Sequence, residues 1–118
     1  MILFTPEMAQ AIRERRKCVT RRRWKKPRVK VGSWQLFYTR MPFAKGGSKP
    51  FARAQIVSVS HELFPGQLNP AGEWQREGFA DFEEFAELWR VMHGVNALSE
   101  PCYRVEWDPN TMELLEGE

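Results

Sequence analysis

Long apolar runs are missing from this chain of 118 residues. No stretch approaches the roughly 20 residues that a membrane-crossing helix needs. Cysteine and histidine are also scarce: two of each, Cys18, Cys102, His61 and His93, without C-x-x-C or H-x-x-x-H spacing. A zinc site and a disulfide framework are therefore not expected, and two free thiols fit a reducing compartment. Met1-Ile2-Leu3-Phe4 runs into Thr5-Pro6-Glu7 without the basic and apolar regions of a signal peptide. The expected location is cytoplasmic, with no metal, no cofactor and no membrane contact. Acidic residues are nearly absent from the first sixty positions, which hold fifteen Lys or Arg against two acids. The remaining positions reverse this, with three Arg against thirteen acids. Such asymmetry suggests a polyanionic or nucleotide-like partner for the basic half. It also fits two halves that neutralise each other on folding.

What is present is enough for one folded domain spanning 1–118. Hydrophobic residues make up 42% and aromatics 13% of the chain, which argues against disorder. Ile2–Phe4 reads as a short strand. Thr5 and Pro6 suit a helix start, and Met8, Ala11 and Ile12 give that helix an apolar stripe, with its end expected near Arg16. Lys17 to Trp24 reads as extended, Trp34–Arg40 and Phe51–Ser60 as strands, and 61–76 as irregular. Asp81 and Glu84 form a capping box ahead of Phe82, Phe85, Ala86, Trp89 and Met92 at helical spacing. Gly94 follows as a stop signal. Tyr103, Val105 and Trp107 alternate in a last strand, Cys102–Trp107, and 109–118 reads as a flexible acidic tail. Several strands, two or more helices and no βαβ alternation indicate an α+β domain with a curled, mostly antiparallel sheet.

One eight-residue stretch, Lys17-Cys18-Val19-Thr20-Arg21-Arg22-Arg23-Trp24, concentrates chemistry: an amine, a hydroxyl, three guanidiniums and an indole. Lys17-x-x-Thr20-x-Arg22, Val31-Gly32, Ala52-x-Ala54-x-Ile56, Glu77-Gly78-Phe79, Phe85 with Trp89, and the strand Tyr103–Trp107 together resemble an ASCH domain. The resemblance runs from about Phe4 to Trp107 and implies a PUA-like β-barrel associated with RNA. Small bacterial members are amidohydrolases that deacylate N4-acetylcytidine with a lysine, a threonine and a glutamate. The matching positions here are Lys17, Thr20 and Glu77. Ser33 departs from the aspartate of many members, and the loops Met41–Pro50 and Leu63–Arg76 are longer.

The resemblance thus implies that Thr20 attacks the acyl carbon and Lys17 takes its proton. An ordinary lysine, with a pKa of about 10.4, is charged at neutral pH. Desolvation and neighbouring cations would lower it, whereas a nearby ionised Glu77 would raise it. Glu77 would orient the amine or shuttle a proton to the leaving nitrogen. Positions 17 and 20 fall on opposite faces of a regular strand, so convergence requires Lys17 to sit in the turn after the first helix, or a bulge. Arg22, Trp24 and Tyr38 are further candidates for substrate binding, Trp24 by stacking on a base. The competing expectation is a non-catalytic RNA-binding module, with the basic run Arg21–Lys26 on phosphates, or a ribonuclease.

Overall fold

The structure, a computed structural model, describes residues 1–41, 45–65 and 71–115. Parts of the Met41–Pro50 and Leu63–Arg76 loops and the last three residues lie outside these. The backbone runs β1 (Ile2–Leu3), α1 (Pro6–Arg13), β2 (Val19–Arg22), β3 (Trp34–Tyr38), β4 (Ala52–Glu62), α2 (Glu73–Arg76), α3 (Phe82–His93), a 3₁₀ turn (Ala97–Ser99), β5 (Cys102–Trp107) and β6 (Glu113–Leu114).

The sheet is built on β4, the longest strand. Its first half pairs with β3 and β6, its second half with β5, and the register shifts between Ile56 and Ser58. A shift of this kind bends a strand and raises its twist, which carries β4 from one ladder into the next. The strand order is β1-β3-β4-β5-β2, with β6 also on β4. Among the described residues, β1 with β3 is the one parallel pair. The curl brings the outer strands within reach: Arg22 on β2 donates through Nη2 to the Leu3 carbonyl of β1 at 2.7 Å.

Inside the curl, Phe4, Phe37 and Trp107 pack edge to face, with ring centroids 4.9–5.8 Å apart. This arrangement suits the quadrupoles of aromatic rings. Ile12, Val19, Ile56 and Val105 complete the same core. A second cluster, Phe79, Phe85, Trp89, Ala97 and Cys102, seats α3.

Three expectations need correction. The first helix ends at Arg13 because Arg15 adopts φ 62°, and its guanidinium donates to the Pro109 and Met112 carbonyls at 3.1 and 3.4 Å. The segment expected to be irregular contains the end of β4 and the helical turn α2, whose four residues are too few to show an apolar stripe. Of the tail expected to be flexible, the described part, 109–115, folds back as β6, with Met112 buried and Leu114 opposite Ala52.

Candidate functional site

The turn after α1 sets the site. Arg15 in the left-handed region reverses the chain, and the Cys18 amide donates to the Arg76 carbonyl at 2.7 Å. Lys17 therefore precedes β2 rather than lying within it, and the alternation of the strand does not bind it. Gly78, at φ 98°, lies alongside: a Cβ there would stand 3.6 Å from Lys17 Cβ and Cδ. Glycine is the residue that holds this backbone conformation without strain.

Lys17, Thr20, Arg22 and Glu77 line one cavity of about 150 Å³. Phe4, Met8, Phe79, Trp89 and Met92 give it an apolar lining beside these polar groups. Lys17 is 3% exposed. Its Nζ donates to the backbone carbonyls of Val19 and Glu77, both at 2.7 Å. Burial pushes its pKa down to about 8, against the opposing Glu77 charge and helped by Arg22 and Arg21. A neutral amine has two N–H donors and one lone pair. Two carbonyl partners satisfy both donors and leave the lone pair for a proton.

Thr20 is buried, and its Oγ1 accepts from Arg22 Nε at 3.2 Å. A hydroxyl that accepts from a guanidinium keeps its own proton to give. Arg22 also lies over the Phe4 ring, 5.0 Å from its centroid. Its burial pushes its pKa down to about 10, against the Glu77 charge.

The Glu77 carboxylate binds Arg21. Arg21 is the hub of a buried network that charge counting alone did not single out. Its Nε and Nη2 bind the two Glu62 oxygens at 2.7 and 3.1 Å, and Nη2 binds Glu73 at 2.7 Å. Glu73 is also held by Arg104 at 2.7 and 2.9 Å. Burial alone would raise the Glu73 carboxyl, but the bonds from Arg104 and Arg21 outweigh it and hold it at about 2. The basic and acidic halves of the chain do meet: Arg21, Arg23 and Arg53 pair with Glu62, Glu73, Glu77, Glu100 and Glu113.

Two candidates lie elsewhere. Tyr38 is buried in β3 and does not line the cavity. Trp24 is half-buried against the core and borders a neighbouring shallow groove with Lys25, His61 and Glu100. Arg23 and His93 line both groove and cavity. The α3 stripe, expected to be core, has a double use: Phe85 and Trp89 are buried, while Leu88 and Met92 stand exposed at the cavity's edge. The extra signal was there in the spacing of Phe85, Leu88, Trp89, Met92 and His93, which continues one helix face beyond what a core needs.

Cys18 and Cys102 are buried free thiols, and burial with the Glu62 charge pushes Cys102 up to about 12. Among the described residues, no group of three or more His, Cys, Asp or Glu is placed to hold a metal ion, and no helix is long and apolar enough to cross a membrane.

No protein-family model matches the chain, and no curated protein matches it. Solved structures do. The crystal structure of ASCH from Zymomonas mobilis superposes with a TM-score of 0.59 at 18% identity, over 91% of this chain and 65% of that one. The present chain thus spans about two-thirds of that protein's length. A serine-to-alanine variant gives 0.59 at 15% identity, over 98% of this chain and 87% of that one. A tyrosine-to-phenylalanine variant gives 0.58 at 14%, over 98% and 88%. What this likeness shows is the architecture: a curled, PUA-like α+β fold of the ASCH type.

Proposed function

We propose that the chain is an ASCH-family amidohydrolase that removes the acyl group from N4-acylated cytidine. The observation that carries this reading is the meeting of Lys17, Thr20 and Glu77 in one cavity, with the amine buried and its pKa near 8. In this reading Thr20 Oγ bonds to the acyl carbon while its proton passes to the Lys17 lone pair. The Arg22 guanidinium offers positive charge beside the developing oxyanion. Collapse breaks the bond to N4, which leaves with the proton returned by Lys17. Water then adds to the acyl ester while Lys17 takes its proton; collapse breaks the bond to Thr20 Oγ, Lys17 returns the proton to that oxygen, and the acyl group leaves as a carboxylic acid. Glu77 acts through its backbone, whose carbonyl orients the amine.

Size supports a particular pose. Small-molecule pockets usually exceed roughly 300 Å³, and this one is about half that. It suits an acylated pyrimidine ring, leaving the sugar at the mouth beside Arg23 and His93.

The test is ultraviolet absorbance as N4-acetylcytidine becomes cytidine. Wild type is expected to turn it over and Thr20→Ala to fail while keeping its circular dichroism spectrum. Full activity in that variant removes the nucleophile assigned here.

The groove beyond the mouth favours a second reading, RNA binding without catalysis. Trp24 and Lys25 supply an aromatic face and a cation there, reached through Arg23. Affinity for single-stranded RNA that falls steeply with salt, in the absence of any deacylation, would favour it over the enzyme.

A further inference from the structure

A buried lysine next to a glutamate usually forms an ion pair, and an ion pair would keep the amine charged. Here the two residues touch, but through the wrong atoms for that: Lys17 Nζ binds the Glu77 backbone carbonyl, while the Glu77 carboxylate is turned onto Arg21. We propose that Arg21 is a positioning residue, a clamp that keeps the Glu77 carboxylate off the Lys17 amine so that the amine can serve as a base. The inference rests on the reading of Lys17 given above and adds a residue outside the Lys17-x-x-Thr20-x-Arg22 motif.

The geometry favours a clamp over a simple counter-charge. Arg21 is buried, and its planar fork is spread over three carboxylates from β4, α2 and the residue after α2. The Trp74 ring lies beneath it, 4.7 Å from the guanidinium carbon. Glu73 has Arg104 as a second partner. Glu62 and Glu77 have no second ion pair among the described residues, and of these two it is Glu77 that lies against Lys17, so its carboxylate is the one that can reach the amine if the fork is lost. The charged or titratable groups around Lys17 are Glu77, Arg21, Arg22 and Cys18, with Arg23 and His93 on the same cavity. Of these, Glu77 alone bears a carboxylate, so its placement decides whether the amine meets an anion.

Arg21→Lys separates the two roles, because lysine keeps the charge but is a point donor without the planar fork. The Lys17 side chain is titrated by NMR of protein carrying ¹³C-labelled lysine. A clamp predicts that Arg21→Lys raises the Lys17 midpoint by about one unit or more, roughly tenfold less neutral amine at pH 7. It predicts that Arg21→Lys with Glu77→Gln returns the midpoint to near its wild-type value, since no carboxylate remains to swing across. An unchanged midpoint in Arg21→Lys, or a rise that persists in the double variant, overturns the clamp. Should Arg21→Lys fail to fold, Glu77→Gln alone decides. With the carboxylate already diverted, Lys17 moves by less than about one unit; a larger fall means that carboxylate and amine were paired all along. Failure of wild type to cleave N4-acetylcytidine would sink the proposed reaction and not this inference, which the titration decides without reference to activity.

Discussion

Lys17 and Arg21 sit four residues apart, both about 3% exposed, and the protein treats them in opposite ways. Around Arg21 burial works against the charge, but bonds to Glu62 and the neighbouring carboxylates hold its pKa above the ordinary range. Around Lys17 the hydrogen-bonding partners are neutral carbonyls, and burial prevails, down to about 8. Burial alone thus does not say whether a cation keeps its proton. The charge of the atoms that accept its hydrogen bonds does. The Arg21 side makes a buried ion-paired support; the Lys17 side makes an amine with its pKa lowered to about 8.

The sharpest way to break this comparison is to remove the hydroxyl proposed to give its proton to Lys17. Thr20→Ala is expected to cost about 10³-fold or more in turnover of N4-acetylcytidine, with folding intact by circular dichroism. Next is the support. Glu73→Ala strips Arg21 and Arg104 of a shared buried partner and is expected to destabilise the fold by about 3–5 kcal/mol in urea unfolding. A loss below about 1 kcal/mol would mean that the network is slack and the contrast with Lys17 overstated.

Stability also reports on Lys17. Its folded pKa is depressed, so between about 8 and 10.5 the unfolded chain binds more protons than the folded one, and wild-type stability gains with pH across that window. Below about 8 the cost of the buried charge, about 3 kcal/mol, is fully present. Lys17→Met has no such cost. Its stability relative to wild type is expected to be most favourable below about pH 8 and to decline from there to about 10.5, as followed by urea unfolding over that range. A difference that does not vary with pH would show that Lys17 keeps its proton throughout. The smallest effect belongs to Arg53→Ala, which removes an exposed pair with Glu113. An expected change of less than about 1 kcal/mol sets the surface reference against which the Glu73 effect is read.

The fold was legible where local chemistry and tertiary packing agree. Asp81 accepts from the Glu84 amide at 3.0 Å, and the helix it caps ends before Gly94, as the capping box and the glycine imply. Val105 and Trp107 in β5, and Ala52, Ala54 and Ile56 in the first half of β4, follow their apolar alternation. What stayed hidden depends on partners distant in the chain. The turn α2 is held by Arg21 and Arg104 acting on Glu73, and β6 by pairing with Ala52 and Arg53. At the site, Lys17, Thr20 and Glu77 were picked out by family resemblance, and the need for a turn before the strand followed from the period of two. The destination of the Glu77 carboxylate was not legible, because several basic residues lay close enough in sequence to Lys17 to compete for it. Tyr38, buried in β3 and not lining the cavity, shows a related limit: an aromatic side chain in a strand near a polar motif looks the same whether it faces ligand or core.

The most direct measurement is the pH dependence of kcat/KM for N4-acetylcytidine with the wild-type protein. The account predicts a rate that climbs about tenfold per unit at low pH and levels off above about 8, where the Lys17 amine is neutral. A rate already flat below about pH 7, or no deacylation at any pH, would contradict it.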